Sequence, residues 1–104
     1  MHQKRLQVIE NQITRIKVKL QSIGSMRPGS LTQQYKIPKD KVGPFYQLSY
    51  THHMKSRTEY VRPQFVVETK KQIAAYKRFR KLTDTWVDLA IEHAKLTLEL
   101  AKIK

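Results

Sequence analysis

Along the first 24 residues, MHQKRLQVIENQITRIKVKLQSIG, apolar side chains recur at alternating steps of three and four: Leu6, Ile9, Ile13, Ile16, Leu20 and Ile23. That heptad seam predicts a helix over 1–24, closed by Gly24 as a left-handed C-cap. So narrow a seam wants one partner helix, from the same chain or from another copy.

The pattern then breaks. Residues 24–44, GSMRPGSLTQQYKIPKDKVGP, hold all three glycines and three of the four prolines. This density of breakers predicts a loop or extended crossing segment over 25–44, pinned to the core by Leu31, Tyr35 and Ile37. From 45 to 62 the period falls to two. Tyr46, Leu48 and Tyr50 alternate with Phe45, Gln47 and Ser49, and Ser56, Thr58 and Tyr60 alternate with Arg57, Glu59 and Val61. A two-stranded antiparallel β-hairpin follows, turning around Thr51 to Lys55 without the Asn-Gly pair of a two-residue turn. An isolated hairpin is marginal in water, so its aromatic face must pack on a helix; at least two of Tyr46, Tyr50 and Tyr60 are expected there.

Pro63 suits the first turn of a helix, and no breaker follows it. A helix over 63–104, about 40 residues, would reach roughly 60 Å. Phe79, Leu82, Trp86, Leu89, His93, Leu96, Leu100 and Ile103 keep the heptad step, and Val87, Ala90, Ile91, Ala94, Leu98 and Ala101 form a second stripe beside it. One short partner helix cannot cover both. Phe79, Leu82, Trp86, Leu89, His93, Leu96 and Leu100 are therefore expected to meet a partner, either a second copy in a homo-oligomer or a subunit of a larger protein–nucleic acid complex. The predicted fold is α+β and mainly α, a single domain: N-terminal helix, Pro/Gly-rich loop, two-stranded hairpin, long C-terminal helix.

Charge sharpens this picture. Lys and Arg number 21 against 8 Asp and Glu, a formal net charge of +13 in 104 residues. A compact monomer so charged repels itself, and a polyanion is the expected partner, nucleic acid first. The charge has an edge: residues 1–81 carry 18 basic and 4 acidic residues, and 82–104 carry 3 and 4. The C-terminal segment is thus suited to meeting protein.

The densest run is TKKQIAAYKRFRK, residues 69–81, with Lys70, Lys71, Lys77, Arg78, Arg80 and Lys81, no acid, and Tyr76 and Phe79 among them. Flexible cations bind phosphates spaced along a backbone, and arginine adds planar paired donors. A merely solvated helix face normally interleaves glutamate, and this one does not. Lys55, Arg57 and Arg62 on the hairpin, with Arg15 and Lys19 on the first helix, extend the expected nucleic-acid-binding set.

Other chemistry is poorly supported. With no cysteine, disulfides, thiolate zinc sites and cysteine nucleophiles are excluded. Strand alternation would send His52 and His53 to opposite faces, which argues against a shared metal, and no cofactor is expected. His93 on the seam suits a register or partner role. Asp84, Asp88 and Glu92 align at steps of four as in two-metal nucleases, yet a solvated acidic strip explains them as well. Gly-rich phosphate loops and nucleophile elbows are missing, so no enzyme is expected. No apolar run approaches the roughly 18 residues of a membrane span. A soluble, cytoplasmic protein, nucleoid association included, is the expectation.

The phrases RPGSLTQQY, GPFYQLSY, KSRTEYV and QIAAYKRFRKL, in that order, resemble a family of small uncharacterised bacterial and archaeal proteins often encoded beside transposase or other mobile-element genes. The resemblance covers 27 to about 100 and brings no established activity. Family members usually carry a cysteine cluster between the first two phrases, suggestive of a zinc knuckle; here that region is KIPKDKV, so metal binding is not implied. The sequence points to a non-enzymatic nucleic-acid-binding accessory protein of a mobile-element or other nucleoprotein machine. The alternative is a protein-interaction module, an assembly factor or inhibitor, whose basic face meets an acidic partner.

Overall fold

The computed structural model describes the chain apart from Met1, Pro38, Lys41 and Lys104, and apart from the side chains of Ile37, Val42 and Ile103. The expected pinning by Ile37, the seam position Ile103 and the helix end at Lys104 lie outside the described residues. In order come helix α1 (His2–Gln21), strands β1 (Ser30–Ile37), β2 (Val42–His52) and β3 (Lys55–Val61), a 3₁₀ turn (Pro63–Phe65) and helix α2 (Val66–Ile103). The chain divides into two compact units, Met1–Ile23 with Arg78–Lys104, and Gly24–Lys77. The boundary falls within α2.

The first unit is an antiparallel helical hairpin, and its side-chain contacts give the direction: His2 meets Glu99, Arg5 pairs with Glu92 and Glu10 meets His93. Further along α1, the Lys17 ammonium lies 5.4 Å from the Trp86 ring centre. Ile9 is fully buried and Ile16 nearly so, both on the predicted seam. α1 stops at Gln21, before Gly24, because the Ser22 and Ile23 amides donate to Lys19 and Leu20 carbonyls in a tightened last turn while the Ser22 hydroxyl also donates to Lys19. Gly24 is not in the left-handed region, so the expected glycine cap is replaced by this serine-assisted end.

The second unit corrects the expected fold. Its sheet has three antiparallel strands in the order β1-β2-β3, where the sequence predicts a two-stranded hairpin preceded by a loop over 25–44. β1 lies inside that supposed loop. Leu31 and Tyr35 alternate with Thr32, Gln34 and Lys36, a period of two that the flanking prolines and glycines obscured. Pro44 is tolerated within β2 because the β3 ladder begins only at Tyr46↔Val61; at Pro44 the strand has β1 on one side alone.

Register decides the two faces, since directly paired residues point the same way. Leu31, Tyr46, Leu48, Tyr50 and Glu59 share one face, and Thr32, Gln34, Phe45, Gln47, Thr58 and Tyr60 share the other. Leu48 is fully buried, and among the described residues of this unit the others that are buried are Val66, Thr69 and Ile73 of early α2, so the apolar face packs on that helix. The Thr69 hydroxyl is satisfied by the Phe65 carbonyl at 2.8 Å, and the Arg27 amide ties the crossing chain to α2 through the Gln72 carbonyl.

The hairpin turn is two residues long, His53 and Met54, both at positive φ. It takes the shape that Asn-Gly normally encodes, with residues for which the left-handed region is costly.

Candidate nucleic-acid interface

The predicted cations fall into groups within each unit. In the helical hairpin, Lys19 of α1 and Arg78 and Lys81 of α2 line one depression of about 490 Å3 with Ser22, Ile16 and Leu82. Arg15 and Lys19 line a neighbouring one with Gln12 and Leu89. Arg80 is exposed and lines neither. α1 and α2 thus each supply cations to a shared surface, as helices packed on their seams leave their polar flanks free.

In the sheet unit, Lys70 and Lys77 lie two turns apart on α2 and line a depression with Gly29, Ser30 and Ile73. Arg57 of β3 lines another, of about 540 Å3, with the same Gly29 and Ser30 and with hydroxyls of Ser49, Thr51, Ser56 and Thr58. Gly29 and Ser30 therefore have a hairpin cation to one side and helix cations to the other. Gly29 sits at φ 143°, and a Cβ there would lie 2.6 Å from Leu48 Cδ1, so the bare backbone is required where β1 crosses the core. Lys55 directly follows the turn, and both it and Lys71 are exposed; Tyr76 is half-buried. Arg62 lies beyond the end of β3, beside Phe45 and Tyr60.

Lys70, Lys71, Lys77, Arg78, Arg80 and Lys81 are all exposed, and among the described residues none of them is ion-paired. Other cations are committed elsewhere. Arg5 grips the Glu92 carboxylate with two bonds of 2.9 and 2.7 Å, holding it below its ordinary pKa. That leaves Asp84 and Asp88 exposed without Glu92 to complete a carboxylate triad.

Arg27 is likewise occupied. It donates to Glu59 at 3.0 Å and stands over the Tyr50 ring, whose hydroxyl donates to the other Glu59 oxygen at 2.9 Å. The Tyr50 hydrogen bond, then that of Arg27, lowers the Glu59 pKa from its ordinary 4.5. A carboxylate depressed on folding stabilises the native state at pH values above its unfolded pKa and stops doing so as pH falls through its native one. Because the group is exposed, the contribution is at most about 1 kcal/mol. Urea midpoints of wild type and Glu59→Gln should differ at pH 7 and converge as the pH falls through the native pKa of the carboxyl. A gap independent of pH would mean that the carboxylate charge contributes nothing.

The residues expected to meet a partner take a different position. Phe79, Leu82, Trp86, Leu89, His93, Leu96 and Leu100 are half-buried on α2, with His93 bonded to Glu10 and Trp86 beneath Lys17, so α1 already covers this seam. The stripe on the far side of α2 is left open: Val87, Ile91 and Leu98 are each at least half exposed.

His52 and His53 also depart from expectation. Their ring centres are 3.9 Å apart, because His53 belongs to the turn and strand alternation does not apply to it. Among the described residues no group of three metal-ligating side chains forms. Comparison with protein-family models, with curated proteins and with solved structures finds no match for the chain.

Proposed function

We propose that this chain is a non-enzymatic nucleic-acid-binding accessory protein that grips the phosphate backbone of DNA or structured RNA as part of a mobile-element or other nucleoprotein machine. The observation that carries this reading is the set of six exposed cations over 70–81, none of them ion-paired among the described residues. Folded proteins normally answer such charge with nearby carboxylates. Here the run 69–81 holds no acid, and the flanking Glu68 and Asp84, three residues from Lys71 and Lys81, form no ion pair with these cations among the described residues. Hydroxyls and a bare glycine beside Arg57, Lys70 and Lys77 add neutral donors of the kind that position phosphates.

The experiment is a binding titration of the whole protein against duplex DNA, single-stranded DNA and structured RNA, with polyglutamate of matched charge as competitor. Nucleic acid should bind and polyglutamate should compete poorly. Polyglutamate binding equal to or tighter than every nucleic acid would favour the acidic protein partner instead.

The open stripe of α2 supports self-association in the same reading. Val87, Ile91, Ala94, Leu98 and Ala101 recur at steps of four and three, and Asp84 and Asp88 flank the start of the stripe while Lys102 flanks its end. Two copies packed antiparallel about Ala94 bring each acidic start beside the other's basic end, whereas parallel packing sets like charges together. Sedimentation should give a dimer mass for wild type and a monomer mass for Ile91→Asp. A monomeric wild type at tens of micromolar would remove this part of the proposal.

A further inference from the structure

One face of the sheet packs on α2; the other is open, and it carries an unusual set of side chains. Directly paired and alternate positions put Ser30, Thr32, Gln34 and Lys36 of β1, Phe45, Gln47, Ser49 and Thr51 of β2, and Ser56, Thr58 and Tyr60 of β3 on this side. No acid stands among them. Most are hydroxyls and amides, as expected where strands alternate apolar-in and polar-out.

Phe45 and Tyr60 break that rule. Tyr60 is 78 % exposed, and its ring meets Phe45 edge to face with centres 5.7 Å apart and planes at 66°. They sit beside the notch where β3 ends and β2 continues alone, a depression of about 570 Å3 whose rim includes Lys36 and Arg62. The Lys36 stem lies against Gly43: a Cβ there would come within 3.1 Å of Lys36 Cβ and 3.2 Å of its Cγ and Cδ. An exposed tyrosine on an otherwise polar sheet face adds nothing to the core. At 78 % exposure its ring is open to a ligand, and Lys36 and Arg62 line the same depression.

We propose that this open face binds unpaired nucleotides of a single-stranded nucleic acid, with Tyr60 and Phe45 stacking on bases and Lys36 and Arg62 taking the adjoining phosphates. The proposal rests on the nucleic-acid reading above and narrows it to a strand state. Every base has a π-face, so stacking on an aromatic pair tolerates any sequence, while duplex bases are already stacked on each other and present only their edges. Gln34 and Gln47, on the same face, can donate to and accept from base edges that pairing would hide. A proline-rich peptide also uses aromatic-lined grooves. The two cations and the lack of any acid on this face favour the phosphate-bearing ligand.

The test uses the full-length protein, a 12-nucleotide single strand carrying one 2-aminopurine, and a hairpin duplex with the same number of phosphates. Wild type should bind the single strand more tightly than the duplex and quench the 2-aminopurine. Tyr60→Leu, which keeps the bulk of an exposed side chain but not the ring, should weaken single-strand binding about 5- to 100-fold, the size of one lost base stack, and leave duplex binding unchanged. Tyr60→Phe should behave as wild type. Unchanged duplex binding also certifies that the leucine variant is folded.

Outcomes separate cleanly. Wild type binding duplex and single strand alike, with Tyr60→Leu altering neither, overturns this inference and leaves the backbone-binding reading intact. Wild type binding no nucleic acid overturns both. Displacement by an excess of polyproline peptide, with no quenching by wild type, assigns the notch to a protein ligand and likewise overturns the inference.

Discussion

Replacing Lys77, Arg78, Arg80 and Lys81 together by alanine is expected to weaken nucleic-acid binding about 10²- to 10³-fold near 0.1 M salt. The size follows from counterion release: each cation that neutralises a phosphate contributes about 0.9 to the slope of log K on log salt. Four lost contacts should flatten that slope by about 3 to 4. These four are exposed and, among the described residues, bear no ion pair, so their removal should leave the fold intact and act on binding alone. Alanine is a strong helix former, which protects α2 from the substitution. Fluorescence anisotropy at several salt concentrations reads both quantities. Equal affinity of variant and wild type for every nucleic acid would remove the basic run from the interface.

The other large effect concerns Leu48. It is fully buried in the centre of β2, paired with Leu31 on one side and Glu59 on the other, and its Cδ1 occupies the space that Gly29 leaves free. Leu48→Ala should cost about 2 to 5 kcal/mol, a transfer loss plus a cavity. For a chain of this length, total stability is of order 5 to 15 kcal/mol. The substitution therefore removes a large share of it, and urea midpoints should fall with little change in slope. Gly29→Ala provides a cross-check. Alone it meets both the Leu48 side chain and a backbone at positive φ; in the Leu48→Ala background the steric part vanishes and only the backbone cost remains. Additive costs for the two would mean that Gly29 and Leu48 do not touch.

Much of the architecture is legible in the chain. Ile9 and Ile16 sit on the seam read from their spacing, and the alternation over 45–61 marks β2 and β3. β1 escapes because its partner is distant: Ser30 pairs with Ser49, and nothing local near residue 30 signals a strand against the weight of Pro28, Gly29 and Pro38. The His53–Met54 turn escapes because neither residue favours positive φ. Turn geometry there is imposed by the paired strands on either side.

The candidate site divides in the same way. Which cations form the basic set can be read from the sequence, since lack of acid within 69–81 is a local property. Which of them are free cannot, because Arg5–Glu92 and Arg27–Glu59 join residues 87 and 32 positions apart. Strand register likewise separates Tyr60 from Tyr46 and Tyr50, turning three similar tyrosines into two that pack and one that faces out.

The central claim is that the protein holds nucleic acid chiefly through phosphates. The most direct measurement is the affinity of wild type for one duplex, one single strand and one structured RNA as a function of salt. With roughly 6 to 10 phosphate contacts, log K should fall linearly with log salt at a slope of about −4 to −9, shallower for the single strand, and with affinity little changed by sequence. A slope near zero, or no binding at low salt, would contradict it.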